Sequence, residues 1–366
     1  MDEDIRQKVY EKGQLGKLSN EELYRLIKKE FLQKEENRRL PLSRQVEKID
    51  RLFSTFRGYG ILDLLLEDET VSEIMVNRFD EIYIEQQGCL KKTALSFQSP
   101  EEMEQMIQRI VGLSGREVNQ AHPIADTRLP GGERVNVVLP PIAADGPVIT
   151  IRRFPKERIA MEKLIAWNSV TEEAALFLET LVRCKYNLFI SGGTGSGKTT
   201  FLNALSEVIP TEERIITIED SAELQLQGLP NLVRLETRNA NASGAGRISA
   251  QELIRTSLRM RPDRIIVGEV RGPEALDMLN AMNTGHDGSL STGHANSSYD
   301  MLGRLETMIL QGNAGLPLLA IRQKIAASID IIVHLSKIGR ERKVMEICEM
   351  AGLKGENYQL STLFLL

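Results

Sequence analysis

The sequence of 366 residues predicts an α/β protein in three parts: a charged helical arm, a smaller α+β domain, and a C-terminal domain built on a mostly parallel sheet. Three observations carry this. From Thr171 onward, short apolar runs alternate with helical stretches, the pattern of a parallel sheet covered by helices. Between Gly58 and Phe154, short β-type runs mix with a helix that has a strong start signal. A glycine-rich loop, Gly192 to Thr199, lies between a short apolar run and a stretch of helix-forming composition. The boundaries read as 1–57 for the arm, 58–154 for the smaller domain, 155–170 for a linker, and 171–366 for the C-terminal domain.

Composition narrows the function. With 42% hydrophobic and 27% charged residues the chain is an ordinary folded soluble protein. A net charge of −5 supplies no global basic field, so a stable nucleic-acid partner is not expected. The three cysteines, Cys89, Cys184 and Cys348, are isolated, which fits a reducing cytoplasm better than a disulfide or zinc framework. Met1-Asp2-Glu3-Asp4 is acidic with no long apolar run after it, so no secretory signal is expected. No stretch approaches 18 uninterrupted apolar residues, so membrane association is expected to come through a partner.

In the arm, Ser19 and Glu22 form a capping-box pattern ahead of Leu23, Ile27 and Phe31 on one helical face. Pro41 separates this from a second helix carrying Val46, Ile49, Leu52, Phe53 and Phe56. The pair reads either as helices packed on their own chain or as a docking arm. Gly58 and Gly60 mark the next boundary. Val71 to Val76 and Glu81 to Ile84 read as strands around a turn at Asn77 to Asp80. Ser99-Pro100-Glu101-Glu102 starts a helix carrying Met103, Met106, Ile107, Ile110 and Val111, with a reciprocal glutamate expected at the cap. Arg134 to Leu139 and Val148 to Ile151 read as further strands. Arg128, Arg134, Arg152 and Arg153 gather near the end of this domain, and arginine offers a permanently charged planar fork for phosphate oxygens. In the linker, Lys156, Glu157 and Arg158 precede Trp167, the one tryptophan, which reads as a packing anchor.

In the C-terminal domain the expected strands are Leu188 to Ile190, Ile215 to Ile218, Val233 to Leu235, Ile265 to Val267, Ser289 to Thr292 and Ile331 to Val333, with an antiparallel extension at the end of the chain. The loop Gly192-Gly193-Thr194-Gly195-Ser196-Gly197-Lys198-Thr199 has the form G-x-x-x-x-G-K-[ST], followed by Thr200. Its glycines let several backbone N–H groups converge on one anion, and the following helix adds its positive end. Lys198 is placed for the β- and γ-phosphates and the Thr199 hydroxyl for Mg²⁺. This loop implies binding of a nucleoside triphosphate.

Hydrolysis needs a held metal, a positioned water and positive charge at the γ-phosphate. Two apolar strands end in acids: Ile215 to Ile218 leads into Glu219, Asp220 and Glu223, and Ile265 to Val267 leads into Gly268-Glu269. Two of the four histidines fall in Gly285-His286 through His294-Ala295-Asn296, and His294 is the candidate to face the γ-phosphate. The pair lacks metal-ligand spacing, so zinc is a poor reading.

Together, Gly192 to Thr199, Thr217-Ile218-Glu219-Asp220, Gly268-Glu269-Val270-Arg271 and the segment from Gly285 to Asn296 resemble the secretion ATPase superfamily, with its Walker A loop, Asp box, atypical Walker B and His box. Five stretches resemble its Tad/Flp pilus assembly (CpaF-type) branch: Glu73 to Asn77, Arg134 to Asn136, Thr150 to Phe154, Leu258 to Arg264, and Ala281 to His286. The cysteine quartet of the type II secretion and pilus-extension branch is missing from the sequence. The resemblance runs from about Gly60 to the C-terminus. It implies a RecA-like C-terminal domain and an ATP- and Mg²⁺-dependent ATPase. The assembly it implies is a homohexamer on the cytoplasmic face of the inner membrane, acting on polytopic platform proteins. It also implies that the arginines Arg128, Arg134, Arg152 and Arg153 close over phosphate charge, without saying which is the finger. Glu219 becomes the candidate for activating water, and Glu269 for holding Mg²⁺ through water together with Thr199; the two assignments are interchangeable at this stage. The alternatives are a conjugative type IV secretion ATPase, an archaellum motor, or, in a different class, a RecA-like DNA-dependent ATPase with Arg255, Arg259, Arg261 and Arg264 as a DNA-facing stripe.

Overall fold

The computed structural model describes residues 5, 8–9, 18–153, 159–238, 240, 246–312, 315–339 and 341–366. Phe154, the linker residues Lys156, Glu157 and Arg158, and the acidic first four residues lie outside them. The chain divides into two compact units, Met1–Lys156 and Glu157–Leu366.

The first unit begins with α1 (Asn20–Gln33), α2 (Glu35–Arg38) and α3 (Leu42–Arg57). The capping box forms as its residues predict: Ser19 Oγ accepts from Glu22 N at 3.2 Å, and Glu22 Oε2 accepts from Ser19 N at 2.8 Å. Leu23, Ile27 and Phe31 of α1 bury against Ile49 and Leu52 of α3, with Ile5 and Val9, in a small core belonging to the arm itself. Val46, assigned to the same face, is instead half exposed.

After α4 (Leu62–Glu67), the strands β1 (Val71–Arg78), β2 (Glu81–Gln86), β3 (Cys89–Lys92), β4 (Ile124–Arg128), β5 (Arg134–Val138) and β6 (Val148–Arg152) form an antiparallel sheet in the order β3-β2-β1-β6-β5-β4. Helix α5 (Pro100–Leu113) buries its five expected residues, Met103, Met106, Ile107, Ile110 and Val111, with the apolar side chains of the sheet. Its Ser99 cap accepts from Glu102 N at 3.3 Å, but the Glu102 carboxylate takes Gln98 N at 2.7 Å rather than the cap's own N–H. β3 and β4 were not expected, because Cys-Leu-Lys-Lys and Ile-Ala-Asp-Thr-Arg are short and polar and owe their strand conformation to neighbours.

The second unit holds α6 (Met161–Ala166), α7 (Glu172–Arg183), β7 (Leu188–Gly192), α8 (Lys198–Ser206), β8 (Ile215–Glu219), β9 (Leu232–Glu236), α9 (Ala250–Ser257), β10 (Arg264–Val267), α10 (Glu274–Met282), β11 (Leu290–Gly293), α11 (Ser298–Gly312), α12 (Leu318–Ser328), β12 (Ile331–Ile338), β13 (Glu341–Lys354) and β14 (Asn357–Leu365). The sheet order is β14-β13-β12-β7-β11-β10-β8-β9. Pairing from β12 to β9 is parallel, and the last two strands extend the sheet antiparallel. Every residue of β7, β8, β10 and β11 is buried, which is why these strands read as continuous rather than alternating apolar runs. One face packs Leu188, Ile190, Leu178, Phe201 and Leu205, and the other Phe189, Ile218, Val267, Met278 and Met301. Each such large apolar side chain contributes about 1.5–3 kcal/mol on burial. Parallel pairing brings the C-terminal ends of β7, β8, β10 and β11 to one edge.

Two expectations are corrected here. Arg264 is fully buried, donating to Glu213 at 2.5 and 3.0 Å and to the carbonyl of Val182 at 2.6 Å. Arg255 pairs with Asp277 at 2.8 Å. Two of the four arginines assigned to a DNA-facing stripe are therefore engaged with carboxylates, while Arg259 and Arg261 are exposed. Trp167, expected to anchor packing, is 51% exposed, with Lys163 Nζ 5.3 Å from its ring centroid.

Candidate active site

The loop between β7 and α8 has left-handed backbone at Gly195 (φ +70) and Gly197 (φ +94), positions that favour glycine. At Gly192 an added Cβ would lie 2.4 Å from the carbonyl oxygen of Leu335 on β12, so the first glycine is required by close strand contact. Ser196 Oγ is buried inside the loop without a hydrogen-bond partner. Gly193 and Thr194 are exposed on the outer arc, and Thr199 and Thr200 are half-buried on the first turn of α8.

Lys198 is buried and donates to the carbonyls of Gly192 and Gly193, both at 3.0 Å, with His294 Nδ1 at 3.3 Å. Burial pushes its ammonium pKa down, opposed by Glu269. An ammonium has no acceptor, so His294 Nδ1 is the unprotonated nitrogen and Nε2 carries the proton. Nε2 lies 2.8 Å from Glu269 Oε1, a close polar contact without hydrogen-bond alignment, while Arg271 holds Glu269 Oε2 at 2.5 Å. Burial also holds His294 below its ordinary pKa, with Glu269 opposing, which favours this neutral ring. A chain of polar contacts thus runs from the loop through Lys198, His294, Glu269 and Arg271 across the ends of β7, β11 and β10.

Glu219 and Glu269 occupy different environments. Glu219 ends β8, is 5% exposed, and accepts from the backbone N–H groups of Glu223 at 2.9 Å and Leu224 at 2.8 Å. Burial pushes its carboxyl up to about 7, against those two bonds. It braces the turn that carries Glu223, whose Oε2 accepts from Thr199 Oγ1 at 3.4 Å. Asn203 of α8 supports the same turn, donating to Glu223 O at 3.3 Å and accepting from Gln225 N at 3.0 Å. In the sequence Glu223 is one of three carboxylates after the Ile215 to Ile218 run, and its spacing from Glu219 is the signal for its role.

His286 precedes β11 and His294 follows it, so with about 3.3 Å per residue the four-residue strand separates them to opposite edges of the sheet. Only His294 joins the site. A cleft of about 690 Å³ lies beside the loop, lined by Gly193, Thr194, His294, Asn296, Tyr299 and Arg304 among others.

In the first unit, Arg128 pairs in register with Arg134, and Arg134 with Arg152. These three form a row across β4, β5 and β6 on the face opposite the core, with Asp126 3.6 Å from Arg134. Glu73 of β1 lies in register beside Arg152, so carboxylates already adjoin the row. Arg153 does not join it. It is 9% exposed and donates to the carbonyls of Val71, at 3.0 Å, and Asp68, so its guanidinium is spent on the backbone beside β1.

The family model described as type II/IV secretion system protein matches residues 57–355. The conjugal transfer protein TrbB of Rhizobium radiobacter is 35% identical over 302 residues, covering 81% of this chain and 89% of TrbB. The type IV secretion system protein PtlH of Bordetella pertussis is 32% identical over 321 residues, covering 79% of this chain and 93% of PtlH. The structure of the Legionella pneumophila ATPase DotB matches with a TM-score of 0.55 at 23% identity, covering 78% of this chain and 79% of that one.

Proposed function

We propose, from the premise that this chain belongs to the type II/IV secretion system protein family, that it hydrolyses ATP with Mg²⁺ and delivers the resulting movement to a membrane-embedded machine. The observation that carries this is the contact chain from the phosphate-type loop through Lys198 and His294 to Glu269. The residues fit a nucleotide: Ser196 Oγ lacks a partner inside the loop, and Lys198 is held by carbonyls it can leave for phosphate oxygens.

Mg²⁺ suits the hard oxygen donors Thr199 and Glu223, one hydroxyl and one carboxylate, with phosphate completing its shell. When bound it would neutralise charge on the β- and γ-phosphates. Glu269 contacts Arg271 and also His294, which in turn contacts Lys198, and this supports it as the residue that positions the attacking water. Glu219 then acts by bracing Glu223, so only half of the exchange open in the sequence is kept: Glu269 takes the water, and Glu223 rather than Glu219 takes the metal. Arg128, Arg134 and Arg152 remain the cations proposed to cover phosphate charge, and Arg153 drops from that set.

The proposed assembly is a homohexamer, peripheral on the cytoplasmic face of the inner membrane through polytopic platform proteins. No helix among the described residues is long and apolar enough to cross a membrane. Two cargoes compete. The CpaF-type motifs favour Tad/Flp pilus assembly, although Arg264 within them has a purely structural ion pair with Glu213. The names of TrbB and PtlH favour conjugal or type IV secretion transfer. Co-purification with membrane proteins encoded beside the gene separates the two: capture of a pilus platform protein supports the first, and capture of a transfer-channel protein supports the second. For the enzyme itself, Glu269→Gln is expected to bind Mg²⁺-ATP as the wild type does while phosphate release stops. Unchanged turnover would remove Glu269 from its role.

A further inference from the structure

Strand β12 lies beside β7 in parallel register, with Leu335 opposite Gly192, and continues past the start of the phosphate-type loop to Ile338. The chain then turns back as β13, and Lys337 pairs with Arg342 near the tip of the hairpin. This geometry lays Arg342 over the loop. Its Nε donates to the carbonyl of Gly195 at 2.9 Å, and a Cβ built on Gly197 would lie 3.3 Å from Arg342 Cδ. The side-chain stem therefore occupies the space that the sixth loop residue leaves by being glycine. Its two neighbours, Glu341 and Lys343, pair with each other at 3.0 Å. Among the described residues no carboxylate pairs with Arg342, and its terminal amino groups stand beside the loop with donors unspent.

We propose that Arg342 is a further nucleotide-binding residue, donating a charge-assisted hydrogen bond to a phosphate held by the loop while Nε secures Gly195. The inference rests on the reading that this loop binds ATP. A guanidinium presents five donors, and one carbonyl leaves most of them for a second acceptor. An always-charged fork held against an anion cradle by its own stem loses little rotamer freedom when the anion arrives. The contact also ties loop and hairpin together, so phosphate binding is felt at the antiparallel edge of the sheet. Nothing in the local sequence announces this: Arg342 follows Gly339 and Arg340 in what reads as a plain turn, and only the fold returns it to the loop.

The test is titration of a fluorescent ATP analogue into the full-length wild type, Arg342→Ala, Arg342→Lys and Lys198→Ala, with melting temperatures measured in the absence of nucleotide. Arg342→Ala is expected to weaken binding about tenfold, about 1.4 kcal/mol, the lower range for a hydrogen bond to a charged group. Its nucleotide-free melting temperature should stay at the wild-type value, because the side chain is exposed. Arg342→Lys should recover part of the affinity, and raising the salt concentration should narrow the gap between wild type and Arg342→Ala. Equal affinity of Arg342→Ala and wild type, with Lys198→Ala impaired, overturns the inference and leaves the ATP reading standing. A loss that tracks a lowered melting temperature also overturns it, since it assigns Arg342 to structure alone. Failure of the wild type to bind the analogue removes the ATP reading, and this inference falls with it.

Discussion

Replacing Glu219 by glutamine removes a carboxyl that the fold holds in a poor place for charge. Burial raises its pKa from 4.5 to about 7. The sign follows from proton counts. Between these values the folded state binds the proton that the unfolded state has released, so this group's contribution to stability falls as pH rises through the window and levels off above about 7. Full ionisation in the fold is worth about 3 kcal/mol against stability, and the part lost between pH ~5.5 and pH ~8.5 is about 2 kcal/mol. Glutamine keeps an oxygen for the N–H groups of Glu223 and Leu224 and carries no titrating proton. Urea unfolding of wild type and Glu219→Gln at those two pH values measures the difference. The fluorescence of Trp167, the chain's one tryptophan, reports on the second unit specifically. The wild type should lose about 2 kcal/mol more than the variant from the lower to the higher pH. Parallel losses in the two proteins would refute the argument that burial controls this carboxyl.

Other consequences follow from the same geometry. Glu223→Gln should raise the Mg²⁺ concentration needed for half-maximal hydrolysis, read from a metal titration at saturating ATP, because Thr199 then shares its site with a neutral amide. Glu213→Ala leaves Arg264 buried and unpaired, and should cost about 3–5 kcal/mol in the Trp167-monitored urea transition. Gly192→Ala drives a Cβ against the Leu335 carbonyl and should lower the same transition by about 1–3 kcal/mol.

The sequence made the buried strands of the second unit legible because their residues are apolar on both faces, and it made the loop legible because its glycines and lysine are contiguous. Arg152 and Arg153 show a signal that was present and unused. Arg152 ends β6 and Arg153 follows it directly, and neighbours along an extended backbone point to opposite faces, so the two could not share one row. Arg264 carried a similar warning, being the first residue of a strand buried on both sides. Glu219 and Glu223 could not be sorted without coordinates, since the turn after β8 decides which carboxylate reaches Thr199. Arg342 lay beyond sequence reasoning altogether, because its meaning depends on β12 pairing beside β7.

The central claim is that the loop closed by Lys198 is an ATP-hydrolysing site. Phosphate release from Mg²⁺-ATP by purified full-length protein, measured beside Lys198→Ala, tests it most directly. The account predicts steady turnover by the wild type and none above background for the variant, whose loop loses the ammonium bridging Gly192, Gly193 and His294. Equal turnover by the two proteins would contradict it.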